Sequence, residues 1–414
     1  MNIHIGKALK YKKLTLMSNA DIYWRIVMEG DTRDTMKITP FEYEDGRLKI
    51  LDQRKLPGKE VYLEIETAED MYDAIATLAV RGAPAIGVAA AYGYFVALKK
   101  WYSDETSYAF TEISTNCTPE DFLAEAERLK NYLGSARPTA VNLRWALDRI
   151  YLKIKNAADF LMEQSVDGEL SSKGIDELLK IAEKEAIAIH VEDVEACRAM
   201  GEHGLGLLEK GMGILTHCNA GTIATSEYGT CLAPIYLGEE RGYGFRVYAD
   251  ETRPLLQGAR LTSWELNKTG VDVTLICDNM AACLMKAGKV DAVLVGCDRM
   301  ASNGDGANKI GTLGLAVLAK HYGIPFYMFV PTSTIDLATE NGNDIIIEER
   351  DGQEIHHMWF KEPMAPEDIK TFNPSFDVTD AELITAVITE EGVIYPPFSE
   401  GLAEAVEKAE NKRK

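Results

Sequence analysis

Apolar and polar positions divide the chain into two textures. The first sixty residues alternate short apolar and polar stretches around turn signals such as EDG and LPG, which predicts a small antiparallel cap. From Thr67 the spacing changes. TAED has the form of a capping box and opens a helix to about Leu78, and after RGAP a second helix, AIGVAAAYGYFVALKK, is apolar on nearly every side and is expected to be buried. Helical periodicity continues over 119–134, 139–160 and 174–209. The polar stretches SDETSYAFTEISTN and MEQSVDGELSSKG interrupt it and read as insertions or frayed helix ends.

From Gly213 onward, short apolar runs rich in strand formers alternate with helical stretches: GILTHC, FRVYAD, DVTLICD, AVLVGCD and FYMFVP. Continuous apolar strands separated by helices predict a parallel sheet covered on both faces. The expected fold is α/β, with a mainly helical N-terminal domain carrying the small antiparallel sheet over 1–185. A Rossmann-like doubly wound domain follows over 186–414. Such sheets bind ligands beyond the carboxyl ends of their strands, where the strand order reverses. The residues at those ends are Cys218 and Asn219, Asp250 and Glu251, Asp278, Asp298 and Arg299, and the turn from Pro331 to Asp336. The lysine-rich tail NKRK is expected to be disordered.

Length and charge narrow the function classes. With 414 residues, 46% of them apolar, the chain can bury two ordinary cores. A net charge of −21 without a basic, aromatic-interleaved cluster argues against nucleic acid as a partner. No apolar run approaches the roughly 18 residues of a membrane span, and MNIHIGKALKYKK lacks the core of a secretory signal, so no membrane partner and a cytoplasmic location are expected. The seven cysteines are scattered without a CxxC spacing and are expected to be free thiols. His356 and His357 lack any HExxH spacing, so no metal is assigned, and no cofactor motif stands out.

Five segments could carry chemistry. In RGAPAIG (81–87), Pro84 stands at the expected helix start, Gly82 permits close backbone approach and Arg81 lies just outside, an arrangement suited to phosphate; a plain helix start with an exposed arginine fits the same residues. SARPTAVNLRWA (135–146) repeats the device with Arg137, and alone it reads as an ordinary helix start. GCDRMASNGDGANKIGT (296–312) reads as a glycine-rich strand-to-helix loop with Asp298 at its beginning and Asn308 and Lys309 at its end; it lacks the Gly-Lys-Ser/Thr core of a P-loop. In LTHCNAGTIAT (215–225), His217 and Cys218 would point to opposite faces of a strand, so His217 is expected to be structural. A helix after AGT would lower the Cys218 pKa. ADETRPLLQGARLT (249–262) is a charged turn in which Gln257 offers an amide to hydroxyl groups.

Together and in this order, RGAPAIG, THCNAG, TRPLLQGARLT and GCDRMASNGDGANKIGT resemble the methylthioribose-1-phosphate isomerases, from about Met36 to the NPSFDVTDAELITAVITEEGVI segment at 373–394. The wider superfamily also holds ribose-1,5-bisphosphate isomerases and regulatory initiation-factor subunits, so fold alone does not decide function. The resemblance implies a sugar-phosphate substrate and a homodimer in methionine salvage. It makes Asp298 the proton donor and Cys218 the partner that stabilises the transition state. It gives substrate binding to Arg81, Gly82, Ala83, Arg137, Gln257, Asn308 and Lys309. Two routes for moving hydrogen from C2 to C1 fit these residues: proton abstraction by a Cys218 thiolate, or a direct hydride shift in a dry pocket. A 5-deoxyribose-1-phosphate or ribose-1,5-bisphosphate isomerase would keep the same pair.

Overall fold

The computed structural model describes residues 38–108, 118–138, 140–164 and 172–413. It opens on three antiparallel strands, β1 (Phe41–Glu44), β2 (Arg47–Leu51) and β3 (Tyr62–Ile65), paired in that order. Phe41 and Tyr43 point inward while Glu42 and Glu44 face solvent, and Asp45 and Gly46 turn the first hairpin with positive φ. The capping box at Thr67 forms in both directions: its hydroxyl accepts from Asp70 N at 3.1 Å, and its own N–H donates to the Asp70 carboxylate at 2.9 Å. It starts helix α1 (Ala68–Ala76), which ends two residues before Leu78, where φ is +61°. Helix α2 (Ala83–Tyr108) is buried at every position from Ala85 to Leu98. Around it pack α1, α3 (Pro119–Gly134), α4 (Val141–Gln164) and α5 (Ser172–Leu205). Parts of the polar stretches are therefore helical, since α2 runs to Tyr108 and α4 to Gln164; positions 109–117 and 165–171 lie outside the described residues. Helix α5 passes without a break through residue 185, the expected domain boundary.

The rest of the chain alternates strands and helices. In order these are β4 (Gly213–Thr216), α6 (Ala233–Glu240), β5 (Arg246–Asp250), α7 (Ser263–Lys268), β6 (Asp272–Ile276), α8 (Ala281–Lys286) and β7 (Ala292–Val295). Next come β8 (Arg299–Ala301), β9 (Gly306–Lys309), α9 (Thr312–Tyr322), β10 (Phe326–Phe329), β11 (Ile335–Asp336) and α10 (Gln353–His356). The chain closes with β12 (Phe376–Thr379), β13 (Ala386–Thr389), β14 (Gly392–Ile394) and α11 (Phe398–Arg413). Seven of the strands form one sheet in the order β14-β13-β10-β7-β4-β5-β6, parallel except at β14. Successive residues feed opposite cores. Ile214, Ala292 and Leu294 join the side chains of α5, α6 and α7, while Leu215, Val293 and Val295 join those of α8, α9 and α11. Burying each such Val or Leu stabilises the sheet by about 1.5–3 kcal/mol, which explains why these strands carry no polar face.

Two sequence expectations need correction. The glycine-rich segment after Asp298 is not a loop: β8 and β9 pair antiparallel within a second sheet ordered β11-β8-β9-β12, whose strands are too short and polar to show apolar periodicity. The tail is not disordered as far as Arg413. Lys412 bonds Glu391 at 2.7 Å, and Arg413 lies 3.6 Å from Glu192 and 3.7 Å from Glu390 with its guanidinium over Trp145, contacts that hold the last turn of α11 in place.

Candidate active site

The strand order reverses beside β4: β5 and β6 follow on one side, β7 and then β10 on the other. Cys218 lies just beyond β4 and Asp298 just beyond β7, so the two stand at the carboxyl ends of hydrogen-bonded neighbours. The amino end of α2 covers them from the helical half. Arg81, Gly82, Ala83, Arg137, Cys218, Gln257, Asp298, Asn308 and Lys309 all line one cavity, and Arg350 and Phe376 line it with them. Four cations, Arg81, Arg137, Lys309 and Arg350, converge there although the whole chain carries −21. That local reversal of sign selects a compact anion.

Each side chain is held by a definable contact. Gly82 has φ +98°, and a Cβ at this position would sit 2.5 Å from the Ala224 carbonyl oxygen, so only glycine lets the entry to α2 approach the β4 loop. Arg81 reaches the same loop and donates to the Asn219 carbonyl at 3.0 Å and to the Asn219 side-chain oxygen. Lys309 Nζ donates to the Ser375 carbonyl at 2.8 Å and lies 4.3 Å from the centre of the Phe376 ring. Arg350 is braced by Glu348 and Glu354, and Arg137 lies 3.9 Å from Glu348. Asn308 Nδ2 donates to Thr312 Oγ1 at 3.0 Å. Gln257 is buried, and its Oε1 finds no partner among the described residues, which leaves an acceptor for a hydroxyl group.

Cys218 adopts φ +64°, with its N–H on Thr252 Oγ1 at 2.8 Å and its carbonyl accepting from Thr262 Oγ1 at 2.6 Å. Its thiol is not activated as the sequence suggested. The following element is a single three-residue 3-10 turn, Thr222–Ala224, and burial pushes the thiol up against the pull of Arg81 and Lys309. Burial likewise raises the Asp298 carboxyl, against Lys309, Arg137 and Arg81, and lowers the Lys309 ammonium, which Cys218 and Asp298 hold up. The site thus presents two weak acids among cations.

His217 makes no dyad with Cys218. Nδ1 meets the Asp250 carboxylate at 3.0 Å and Nε2 meets the Ile310 carbonyl at 2.8 Å, so each nitrogen faces an acceptor, an arrangement that favours the imidazolium. Burial would lower its pKa, but Asp250, with help from Asp278 and the Ile310 carbonyl, holds it above the ordinary value. His217, Asp250 and Asp278 bring ligand atoms within 4.8 Å of one another. They do not fit a metal: both imidazole nitrogens are already engaged, and Asp278 already accepts from Thr252 N and Arg253 N at 2.7 and 2.8 Å. Arg350, Phe376 and Ser375 were invisible to sequence reasoning: pairing of β12 with β9 brings Phe376 and the adjoining Ser375 to the cavity, Arg350 is held by its N–H on the Asn373 carbonyl at 2.9 Å, and no local motif marks these long-range contacts.

Residues 79–396 match the model of the initiation factor 2 subunit family. A methylthioribose-1-phosphate isomerase of Symbiobacterium thermophilum is 53% identical over 90% of this chain and 98% of its own length. A 5-deoxyribose 1-phosphate isomerase of Petrotoga mobilis is 50% identical over 90% of this chain and all of its own length (100%). The crystal structure of 5-methylthioribose 1-phosphate isomerase from Pyrococcus horikoshii OT3 superposes with a TM-score of 0.78 at 40% identity, covering 90% of this chain and 97% of that one. The chain accordingly belongs to the initiation factor 2 subunit family, within its branch of methylthioribose-1-phosphate and 5-deoxyribose 1-phosphate isomerases.

Proposed function

We propose that the chain converts 5-methylthioribose 1-phosphate into 5-methylthioribulose 1-phosphate, in the cytoplasm, without a cofactor. It would act as a homodimer whose protomers divide into the halves 1–185 and 186–414. The observation that carries this reading is the thiol and the carboxyl at adjacent strand ends beneath four cations. Arg81, Arg137, Lys309 and the amino end of α2 at Gly82 and Ala83 hold the phosphate, Asn308 supports that grip, and Gln257 accepts from a ring hydroxyl.

The substrate's anomeric oxygen carries phosphate, so its ring opens only with help. Asp298, whose carboxyl burial shifts toward its protonated form, gives its proton to the ring oxygen as the bond from C1 to that oxygen breaks. Hydride then moves with its electron pair from C2 to C1, and the proton on the C2 hydroxyl passes to the carboxylate formed in the first step. Atoms and charge balance without an outside reagent. Cys218 stabilises the transition state through its polarisable sulfur beside the positive charge that develops at C1 as the ring opens. A raised thiol pKa supports this hydride route over C2 proton abstraction by a thiolate, and a bound phosphate would push both acids up further.

The test is to supply substrate deuterated at C2 and follow the ketose by NMR. Retention of the label at C1 is expected; exchange with solvent water would sink the hydride route. Offering 5-methylthioribose 1-phosphate, 5-deoxyribose 1-phosphate and ribose 1,5-bisphosphate separately tests the substrate. The second reading, 5-deoxyribose 1-phosphate, has the Petrotoga mobilis relative in its favour and wins if that sugar gives the highest kcat/KM. Gly82→Ala is expected to lower kcat/KM by about a hundredfold, because the added Cβ moves Arg81 and the start of α2 off the phosphate by a fraction of an ångström to an ångström. Unchanged kinetics in that variant would show that the close approach is unimportant.

A further inference from the structure

We infer that Glu265 is a positioning residue: its carboxylate fixes the Asn219 amide, and through it the Arg81 guanidinium, in the orientation that receives the substrate phosphate. The inference rests on the reading of Arg81 as a phosphate ligand. Glu265 sits on α7 with no solvent exposure and does not line the cavity. One carboxylate oxygen accepts from Asn219 Nδ2 and the other from Thr222 N at 2.8 Å. Because Nδ2 faces Glu265, the Asn219 side-chain oxygen faces Arg81 and accepts from it. The same Nδ2 donates to Thr262 Oγ1 at 3.1 Å, and that hydroxyl donates onward to the Cys218 carbonyl. Gly221 leaves the room this carboxylate occupies, since a Cβ there would collide with it.

The polarity of this chain needs an acceptor at both ends of Glu265. Thr222 N–H is a fixed backbone donor. A glutamine could turn its oxygen to Thr222, but its NH2 would then confront Asn219 Nδ2 and flip that amide, presenting a donor to the Arg81 donors. The opposite orientation sets NH2 against Thr222 N–H. Protonating the carboxyl creates the same conflict. Burial pushes Glu265 up to about 7, against the Asn219 hydrogen bond. The titratable and charged groups facing it are Arg81 at the entry to α2, Tyr236 on α6, and the Cys231 thiol just before α6. The wild type should therefore lose its grip on phosphate as the pH falls through about 7.

Glu265→Gln is expected to raise KM for the sugar phosphate about ten- to a hundredfold with a much smaller change in kcat. The KM ratio of variant to wild type should be greatest above about pH 7 and shrink toward one below it, because the protonated wild type then resembles the variant. Ionisation of the substrate itself cancels in this ratio. A ratio near one throughout, or one that does not change with pH, overturns the inference. In an Arg81→Ala background, Glu265→Gln should add less than about threefold, as expected of coupled residues, and a full additive effect overturns it. If Arg81→Ala alone leaves KM unchanged, the phosphate reading of Arg81 fails instead. Should Glu265→Gln not fold, calorimetric titration of the wild type with sulfate, a dianion throughout, decides the matter: tighter binding at about pH 8 than at about pH 6 is expected, and equal affinity overturns the inference.

Discussion

Asp298→Asn is expected to lower kcat about 10²- to 10⁴-fold, the range for removing a positioned general acid. The exchange is nearly isosteric, and the backbone N–H of residue 298 would keep its 2.9 Å bond to the Ala307 carbonyl, so the turn after β7 should survive. Because burial raises the native carboxyl and favours its neutral form, asparagine comes close to the charge that Lys309, Arg137 and Arg81 already face. KM should therefore move by less than about threefold, and the whole loss should fall on kcat, the signature of an interaction made in the transition state. Rates followed by NMR, with sulfate binding as a check on the anion pocket, measure both quantities. Turnover within about threefold of the wild type would assign ring opening to another acid, with Cys218 the next in place.

The parts of this site that were legible in the sequence share a physical reason. Core strands such as AVLV and GILT are apolar throughout because helices cover both faces, and a run of that kind announces itself locally. Once those strands are placed, the residues following them fall at the carboxyl edge of the sheet, which is how Cys218 and Asp298 could be found eighty positions apart in the chain. The rest depended on tertiary contacts. Strands β8 and β9, RMA and GANK, form because distant residues of β11 and β12 supply their partners, and nothing in three or four mixed residues predicts that pairing. The Cys218 pKa was misjudged for the same reason. A sequence can suggest a helix after the thiol, but it does not show how much surface the fold removes from water, and here burial dominates. Glu265 stands in an unremarkable SWELNK helix, and only its depth reveals it.

Asp250→Ala should cost about 3–5 kcal/mol of stability, because it leaves the His217 imidazolium buried without its counter-ion. Both side chains are 1% exposed, so water cannot take over the role of the carboxylate. Shedding the Nδ1 proton would keep Nε2–H on the Ile310 carbonyl but leave Nδ1 buried without a partner, so neutralising the ring does not recover the whole loss. Helix α9 begins against this ring, with Gly311 so close that a Cβ would lie 2.8 Å from it, so displacement of His217 would disturb the β9 end that carries Asn308 and Lys309. Urea unfolding followed by circular dichroism measures the loss. The decisive comparison is the double variant His217→Leu with Asp250→Leu, which removes both charges and should regain most of the stability. The pH dependence follows from the sign of the shift. A histidine whose folded pKa is raised contributes its stabilisation fully below the unfolded value and loses it as the pH rises through the folded one. The wild type's advantage over the double variant should accordingly shrink toward alkaline pH, and an advantage that grew there would mean that His217 is neutral in the folded protein.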